Sequence, residues 1–373
     1  MSEERGSSVG LLRAIDIPLI IAVLALTSIG IMSIYSAASG VNVSGLALAR
    51  RQLVWGGLSL LISLLIVKIG YRSIVKSSYI LYGVLILFLL FMMVQGEVSK
   101  GALRWLSVGP IRIQPSEPGK ILLSLFLAKF MAYKEMTDLI DFAKVWALGG
   151  LSAFLILIQP DLGTSLVYFT VIFSALIVGG ARKRHLLGLI GIGLAILPFA
   201  WHGLKSYQKQ RLLVFINPES DPLGAGYNVI QSRIAVGSGS LWGKGFMNGT
   251  QSKLKFLPEP HTDFIFSVFS EEWGFLGCLL VLALFAFVMW RMISIAIKSK
   301  DRRGKVLVGA LTGWIWFQTV ESVGMSIGLL PVTGAPLPFL SYGGSALVSV
   351  FIAIGLVISV GLTDEMERNQ YDT

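Results

Sequence analysis

Four short polar stretches carry the groups in this chain that could do chemistry, and each stands where an apolar segment begins. They contain Glu117 with Lys120, then Asp161, Asp263, and Ser341 at the head of a Ser-Tyr-Gly-Gly-Ser run. A carboxylate can take a proton from an attacking hydroxyl, whereas an ammonium group and the free N–H groups of a helix start stabilise phosphate oxygens. Together these groups predict a cavity that holds a diphosphate headgroup.

The segments that position these groups have the composition of a membrane protein. Hydrophobic residues make up 54% of the 373 residues and charged residues only 14%, whereas soluble domains contain roughly 25% charged residues. Apolar stretches long enough to cross a ~30 Å hydrocarbon core recur along the chain. The sequence therefore predicts an all-α integral membrane protein with about ten transmembrane helices.

The predicted spans can be placed and oriented from hydropathy and charge. They lie near 16–37, 52–70, 77–95, 117–133, 144–159, 163–181, 185–201, 263–296, 305–329 and 342–362. The net charge of +10 is concentrated in short connections, as at Arg182, Lys183 and Arg184. This distribution follows the positive-inside rule and favours no nucleic-acid partner. It predicts a multi-pass protein of the cytoplasmic membrane with both termini in the cytoplasm.

Two outward-facing segments are too long to be simple turns. Residues 96–116 are expected to contain an interfacial element, and residues 202–262 form a loop of the length that is usually functional or disordered. The second loop contains apolar residues, which favour an ordered structure partly associated with the membrane. We expect residues 1–373 to form a single polytopic membrane domain that includes this loop.

In this topology the polar stretches lie at the outer N-termini of inward-running helices. Lys120 falls on the same helix face as Glu117, and Arg211 lies at the outer membrane edge. We predict that these two cations contact a diphosphate. Ordinary explanations remain open, because Asp and Ser are common helix caps, Lys120 can pair with Glu117, and Arg211 can snorkel to the interface.

Other candidate sites are weaker. Three scattered histidines and a single cysteine, Cys278, give no transition-metal spacing. For Glu271 and Glu272 within a predicted helix, and for Glu321 in the next, an ion pair or helix packing is as reasonable as catalysis. No metal motif is present, although a divalent cation, Mg²⁺ or Mn²⁺, bridging a diphosphate is compatible with the sequence.

At these residues the chain resembles the SEDS family (shape, elongation, division and sporulation), whose members are polytopic peptidoglycan polymerases. The matching stretches follow in order along the chain: QPSE at 114–117 with Lys120, QPDLGTS at 159–165, PEPHTDFIF at 258–266 and LPFLSYGGS at 337–345. Two further stretches, NPESDPLGAGY at 217–227 and GTQS at 249–252, resemble the rod-shape-determining branch rather than the division branch.

The resemblance implies a glycosyltransferase that polymerises lipid II for cell elongation, with Asp263 as the catalytic carboxylate. It places Glu117, Lys120 and Asp161 in one cavity, with undecaprenyl diphosphate as the lipid carrier and a class B penicillin-binding protein (a transpeptidase) as partner. One departure is Ser322-Val323-Gly324, where the family usually has Asn-Ile-Gly. Either a carboxamide there is not essential, or Ser322 and Glu321 substitute for it.

Two other functions fit the same composition. A lipid flippase would also have many helices with buried charge, but transporters place their sites near the midplane and often show inverted repeats. The chain has no convincing inverted repeat, and its acids cluster at the outer side. A non-catalytic membrane scaffold for wall enzymes is the third alternative.

Overall fold

Long apolar helices account for most of the protein. The computed structural model describes residues 16–39, 45–95, 97–99, 102–108, 111–222 and 224–371. Its α-helices are α1 (Ile17–Ala38), α2 (Gly45–Ile69), α3 (Tyr71–Lys76), α4 (Ser78–Gln95), α5 (Ser116–Phe130), α6 (Leu139–Ile158), α7 (Leu162–Val178), α8 (Lys183–Gly203), α9 (Ser206–Ile216), α10 (Ala225–Ser238), α11 (Thr250–Lys253), α12 (Ile265–Lys298), α13 (Arg302–Ile327) and α14 (Gly344–Tyr371).

Ten of the described helices correspond to the predicted spans: α1, α2, α4, α5, α6, α7, α8, α12, α13 and α14. Six of them, α1, α2, α6, α12, α13 and α14, are individually long and apolar enough to cross a membrane. The predicted count of about ten is therefore confirmed. The helix ends differ, because α2 begins at Gly45, before the predicted 52, and α14 continues to Tyr371, past 362. Hydropathy locates the apolar part of a helix, whereas polar turns extend the helix beyond it.

A small antiparallel sheet follows α4 and was not predicted. Its strands are β1 (Glu97–Ser99), β2 (Ala102–Val108) and β3 (Ile111–Ile113), in the order β1-β2-β3. It lies within the segment expected to hold an interfacial element. The all-α class describes the spanning helices, and this sheet connects α4 to α5.

The chain direction alternates through these helices, which gives the bundle two chemically different ends. At one end, called the basic end here, lie the connections 70–77, 131–138, 179–182 and 299–301. At the other end, called the cavity end, lie the sheet, residues 204–222 and 224–264, and residues 328–343. The functional site is at the cavity end.

Arg302 fastens three helices together at the basic end. Its guanidinium donates 2.9 Å and 2.6 Å hydrogen bonds to the carbonyl oxygens of Met131 and Gly179. These residues are the C-caps of α5 and α7. The last carbonyls of a helix have no partner within it, and a cation there also matches the helix dipole. Arg302 therefore links the start of α13 to the ends of both helices.

Helix α12 is broken at Gly274, which has φ 66° and ψ −166°. A break within a spanning helix frees backbone groups that must find other partners. Residues 240–245 supply them: Lys244 N–H donates to the Glu271 carbonyl (3.0 Å), and Phe275 N–H donates to the Ser240 carbonyl (2.9 Å). The backbones approach so closely that a Cβ on Gly274 would lie 2.3 Å from the Gly243 nitrogen. The loop thus completes the broken helix.

Candidate functional site

A cavity of about 1370 Å³ opens among the helices at the cavity end. Five residues that the sequence predicted as site residues line it together, namely Glu117, Lys120, Asp161, Arg211 and Asp263. They come from α5, the start of α7, α9 and the loop before α12. Distant parts of the chain are therefore brought to one place by the alternating direction of the helices.

Lys120 and Glu117 form an almost fully buried ion pair on α5. Lys120 Nζ lies 2.8 Å from Glu117 Oε1, with side-chain exposures of 1% and 4%. Lys120 Nζ also donates to Gln318 Oε1 at 3.1 Å and lies 4.6 Å from the centre of the Trp314 ring. The ammonium group is thus held by a carboxylate, an amide and an aromatic face.

Gln318 is the second residue of this network and was not predicted from the sequence. Its Oε1 accepts a 2.6 Å bond from the Trp314 indole, and its Nε2 donates a 2.6 Å bond to the Pro336 carbonyl. A glutamine on an apolar helix gives no pattern by itself. The spacing Trp314 to Gln318, one helical turn, is the only sequence signal that could have found it.

Asp161 is a helix cap and a cavity residue at once. It is the N-cap of α7, and its carboxylate accepts from Thr164 N–H (3.2 Å) and from the Thr164 hydroxyl (2.9 Å). The side chain is only 3% exposed. The capping interpretation is therefore correct for Asp161, and the positive end of α7 is directed at the same cavity.

Asp263 does not occupy a cap position. Helix α12 begins at Ile265 with Phe264 as its N-cap, so Asp263 stands one residue further out, and it is half-buried. Its backbone N–H donates to the Glu259 carbonyl at 3.2 Å. Asp263 is thus a carboxylate presented to the cavity from an irregular segment.

Ser341 is the one predicted site residue that does not line the cavity. It is 5% exposed, and its hydroxyl donates a 2.7 Å bond to the Thr262 carbonyl while accepting a 2.8 Å bond from Leu337 N–H. The residues that follow it, 342–346, do line the cavity. Ser341 therefore supports the wall rather than forming it.

Two arginines lie in the cavity wall. Arg211 donates a 3.4 Å hydrogen bond to the Thr333 carbonyl and lies 5.7 Å from the centre of the Tyr207 ring. Arg51 on α2 also lines the cavity and is exposed. Arg51 was not predicted as a site residue, because a basic residue near the end of a predicted span is usually an interfacial anchor.

Glu271 and Glu272 serve the broken helix and do not line this cavity. Glu271 forms a 2.6 Å ion pair with Lys244 and accepts from the backbone N–H of Thr250 at 2.8 Å. Glu272 accepts a hydrogen bond from the hydroxyl of Ser36 on α1. Of the alternatives left open, the contacts favour ion pairing and helix packing.

Glu321 lies against α7, below the cap. An ideal Cβ on Gly163 would be 3.1 Å from Glu321 Oε1 and 2.8 Å from Thr333 Cβ. Ser322, next to it, is fully buried, and its hydroxyl has no hydrogen-bond partner among the described residues. Glu321 rather than Ser322 is therefore the polar residue of the pair that reaches the neighbouring helix.

The chain is similar to known proteins along nearly its whole length. The family model of the cell cycle proteins FtsW, RodA and SpoVE matches residues 17–365. The chain belongs to this family. It contains all four polar stretches within the matched region, so the resemblance drawn from them is confirmed.

Among its relatives, this family member is 38% identical to the peptidoglycan glycosyltransferase MrdB of Escherichia coli K12 over 352 residues, 93% of each chain. It is 34% identical to the peptidoglycan glycosyltransferase RodA of Treponema pallidum over 421 residues, 92% of this chain and 97% of the other. A chain of a peptidoglycan synthase complex that coordinates polymerization and crosslinking superposes with a TM-score of 0.81 at 32% identity, covering 96% and 99% of the two chains. These similarities support the rod-shape branch of the family.

No cluster of three or more His, Cys, Asp or Glu side chains that could hold a metal ion occurs in the described part of the chain. The cavity instead combines separate carboxylates, an ammonium group and two guanidinium groups. This set can bind an anion and accept a proton.

Proposed function

We propose that this protein is a peptidoglycan glycosyltransferase that polymerises lipid II into glycan strands for cell elongation, with Asp263 as its general base. The observation that carries the proposal is a single cavity lined by Asp263, the Glu117–Lys120 pair and two arginines, in a chain whose relatives are named peptidoglycan glycosyltransferases.

In the proposed reaction, the sugar hydroxyl of an incoming lipid II attacks the anomeric carbon of a glycan held on undecaprenyl diphosphate. The new bond joins the hydroxyl oxygen to that carbon, the bond from the carbon to the diphosphate oxygen breaks, and the diphosphate leaves with the electron pair. Asp263 takes the hydroxyl proton. A positioned base of this kind contributes about 10²–10⁴-fold to the rate.

The leaving diphosphate is the group that the cations are suited to hold. Arg211 and Arg51 stand in the cavity wall, and guanidinium groups bind phosphate oxygens in bidentate fashion. Lys120 is more deeply placed and already paired, so we propose that it contacts the diphosphate while Glu117 and Gln318 hold it in position. Asp161 directs the N-terminus of α7 toward the same anion. A Mg²⁺ or Mn²⁺ ion bound to the diphosphate would add positive charge, held largely by the substrate and water.

The proposal includes the protein's surroundings. The multi-pass chain lies in the bacterial cytoplasmic membrane as one polytopic domain, with both termini in the cytoplasm and residues 202–262 outside, as the basic connections indicate. The cavity then faces the side on which the wall is built. A class B penicillin-binding protein is the proposed partner, because a structurally similar chain belongs to a complex that both polymerises and crosslinks.

The test uses purified full-length protein, with and without the class B partner, and labelled lipid II. We expect polymer in detergent and in liposomes, and none with Asp263→Asn. Movement of lipid II across the bilayer without polymer would indicate a flippase, and neither activity would leave a scaffold.

A further inference from the structure

Gln52 on α2 is a fully buried polar residue that does not line the cavity. Its neighbours Arg51 and Trp55 do line it, whereas Gln52 itself is 0% exposed. Burying an amide is costly unless its hydrogen bonds are made. The hydrogen-bond partners of Gln52 therefore indicate its structural role.

Both ends of the Gln52 amide bind the backbone of one segment. Nε2 donates to the Ser341 carbonyl at 3.2 Å, and Oε1 accepts from Gly343 N–H at 3.3 Å. The side chain thus pairs with residues 341–343 as another peptide group would. Within the chain's own turns, Ser341 N–H donates to the Leu337 carbonyl at 3.0 Å and the Gly343 carbonyl accepts from Leu347 N–H at 3.0 Å, which leaves the Ser341 carbonyl and the Gly343 N–H to Gln52.

The same segment holds the residues that precede Asp263. The Ser341 hydroxyl donates to the Thr262 carbonyl at 2.7 Å, and Tyr342 N–H donates to the His261 carbonyl at 2.9 Å. The rings of His261 and Tyr342 also meet edge to face at 5.8 Å. Two consecutive carbonyls before Asp263 are therefore anchored to the segment that Gln52 holds.

Both segments adopt backbone conformations that need such support. Phe339, ahead of Ser341, has φ 65°, and Glu259, ahead of His261, has φ 49°. For residues other than glycine such values are strained and persist only where the surroundings impose them. The contacts of Gln52 and Ser341 are part of those surroundings.

We propose that Gln52 is a positioning residue for Asp263, acting through residues 341–343. The inference rests on the proposed function, since it assigns a role toward the catalytic carboxylate. Gln52 itself touches no substrate. Loss of its two bonds lets the 341–343 segment and the attached Thr262 shift, and a misplacement of about 1 Å at a catalytic group can cost about 100-fold in rate.

The primary test is Gln52→Met in the full-length protein, assayed with labelled lipid II and the class B partner. Methionine keeps the length and shape of the side chain but makes neither amide bond. We expect the turnover per folded molecule to fall by about 10- to 100-fold, with the KM for lipid II within about twofold of the parent. The thermal midpoint in detergent should also fall, because the Ser341 carbonyl and the Gly343 N–H lose their partner, and turnover is therefore compared per folded molecule.

Ser59→Ala is the matched control. Ser59 lies on the same helix and is also fully buried, but its hydroxyl donates to the Trp55 carbonyl of its own helix at 2.6 Å. Ser59→Ala removes a buried polar group from α2 and leaves the contacts of residues 341–343 in place. We expect turnover near that of the parent.

A double-variant cycle tests whether Gln52 acts through residues 341–343. Ser341→Ala breaks the next link, so the rate losses of Gln52→Met and Ser341→Ala should be clearly less than additive when combined. Turnover per folded molecule that is unchanged in Gln52→Met, or reduced no more than in Ser59→Ala, overturns the inference, as do fully additive losses.

A variant that does not fold and a parent that makes no polymer are interpreted separately. If Gln52→Met gives no folded protein, Ser341→Ala alone decides, and full turnover in that variant overturns the inference. If the parent protein itself makes no polymer, the proposed function has failed rather than the role of Gln52.

Discussion

Lys120 and Glu117 lie one turn apart on α5 and form a 2.8 Å ion pair from which solvent is almost completely excluded. The second oxygen of Glu117, Oε2, has no hydrogen-bond partner among the described residues. The pair is therefore both part of the helix packing and a polar group of the cavity wall, and its two roles can be separated by experiment.

Lys120→Met should abolish polymerisation and also destabilise the protein. Removing one partner of a buried pair leaves the other charge without compensation, which costs about 3–5 kcal/mol. We expect a lower thermal midpoint in detergent for this variant. The double variant Lys120→Met/Glu117→Gln should regain stability, since no buried charge remains, but not activity. Recovery of polymerisation in the double variant would remove Lys120 from the mechanism.

Asp263→Asn should yield a folded, partner-binding protein without polymerase activity. Asn keeps the shape of the side chain but cannot accept the proton. Because α12 begins after Asp263, we expect the thermal midpoint to be unchanged. Polymerisation of labelled lipid II at a rate near the parent's would refute the assignment of Asp263 as base.

Asp161→Ala is the contrasting case, because Asp161 is a true N-cap. Loss of such a cap costs about 1 kcal/mol, so its thermal midpoint should fall, whereas Asp161→Asn should largely keep it. Equal midpoints for Asp161→Ala and Asp161→Asn would show that the cap bonds to Thr164 contribute little.

The proposed orientation predicts different labelling of two exposed positions. In a background with Cys278 replaced, Ser240→Cys should react with an impermeant thiol reagent in intact cells. Lys183→Cys should react only after permeabilisation. The reverse pattern would place the cavity end in the cytoplasm and contradict the proposed site of polymerisation.

Arg302→Met should lower the thermal midpoint, because it removes the hydrogen bonds to the C-caps of α5 and α7. Leaving such backbone acceptors without partners costs about 1–3 kcal/mol. The control is Lys183→Gln, an exposed basic residue at the same end of the bundle, for which we expect a change within about 0.5 kcal/mol. Similar midpoints for the two variants would argue against the fastening role of Arg302.

Asp301, the N-cap of α13 at the basic end, makes stability depend on pH. Burial alone would raise the pKa of its carboxyl, but hydrogen bonds from Arg303 and Tyr71 outweigh burial and hold the pKa below its ordinary value of 3.8. A carboxyl with a lowered folded-state pKa contributes stability that is present above the unfolded value and is lost as the pH falls through the folded value.

As the pH falls from about 5 to about 3, the thermal midpoint should therefore decrease less steeply in Asp301→Asn than in the parent. The parent should be the more stable of the two at neutral pH. An identical pH dependence in both proteins would show that Asp301 does not contribute in this range.

The sequence by itself determined the membrane class, the approximate spans and five residues that share the cavity. Apolar length is imposed by the hydrocarbon thickness, and alternation of direction then sends every second helix start to the same end. The sequence could place Glu117, Asp161 and Asp263 at the same end of the bundle, because each lies at the start of a helix that begins there.

The tertiary structure decided which contacts these residues make. Gln52 and Arg51 stand on an apolar helix where no local pattern distinguishes them. The partners of Gln52 lie 289 and 291 residues away, in the segment 341–343, and Gln318 meets Lys120 from a different helix. Likewise, Asp161 is a helix N-cap and Asp263 is not. The sequence could not distinguish the two, because the first residue of a helix depends on the backbone that packs around it. Hydropathy predicts which segments lie in the membrane. Which side chains form pairs depends on how the helices pack, and the periodicity of the sequence does not encode that packing.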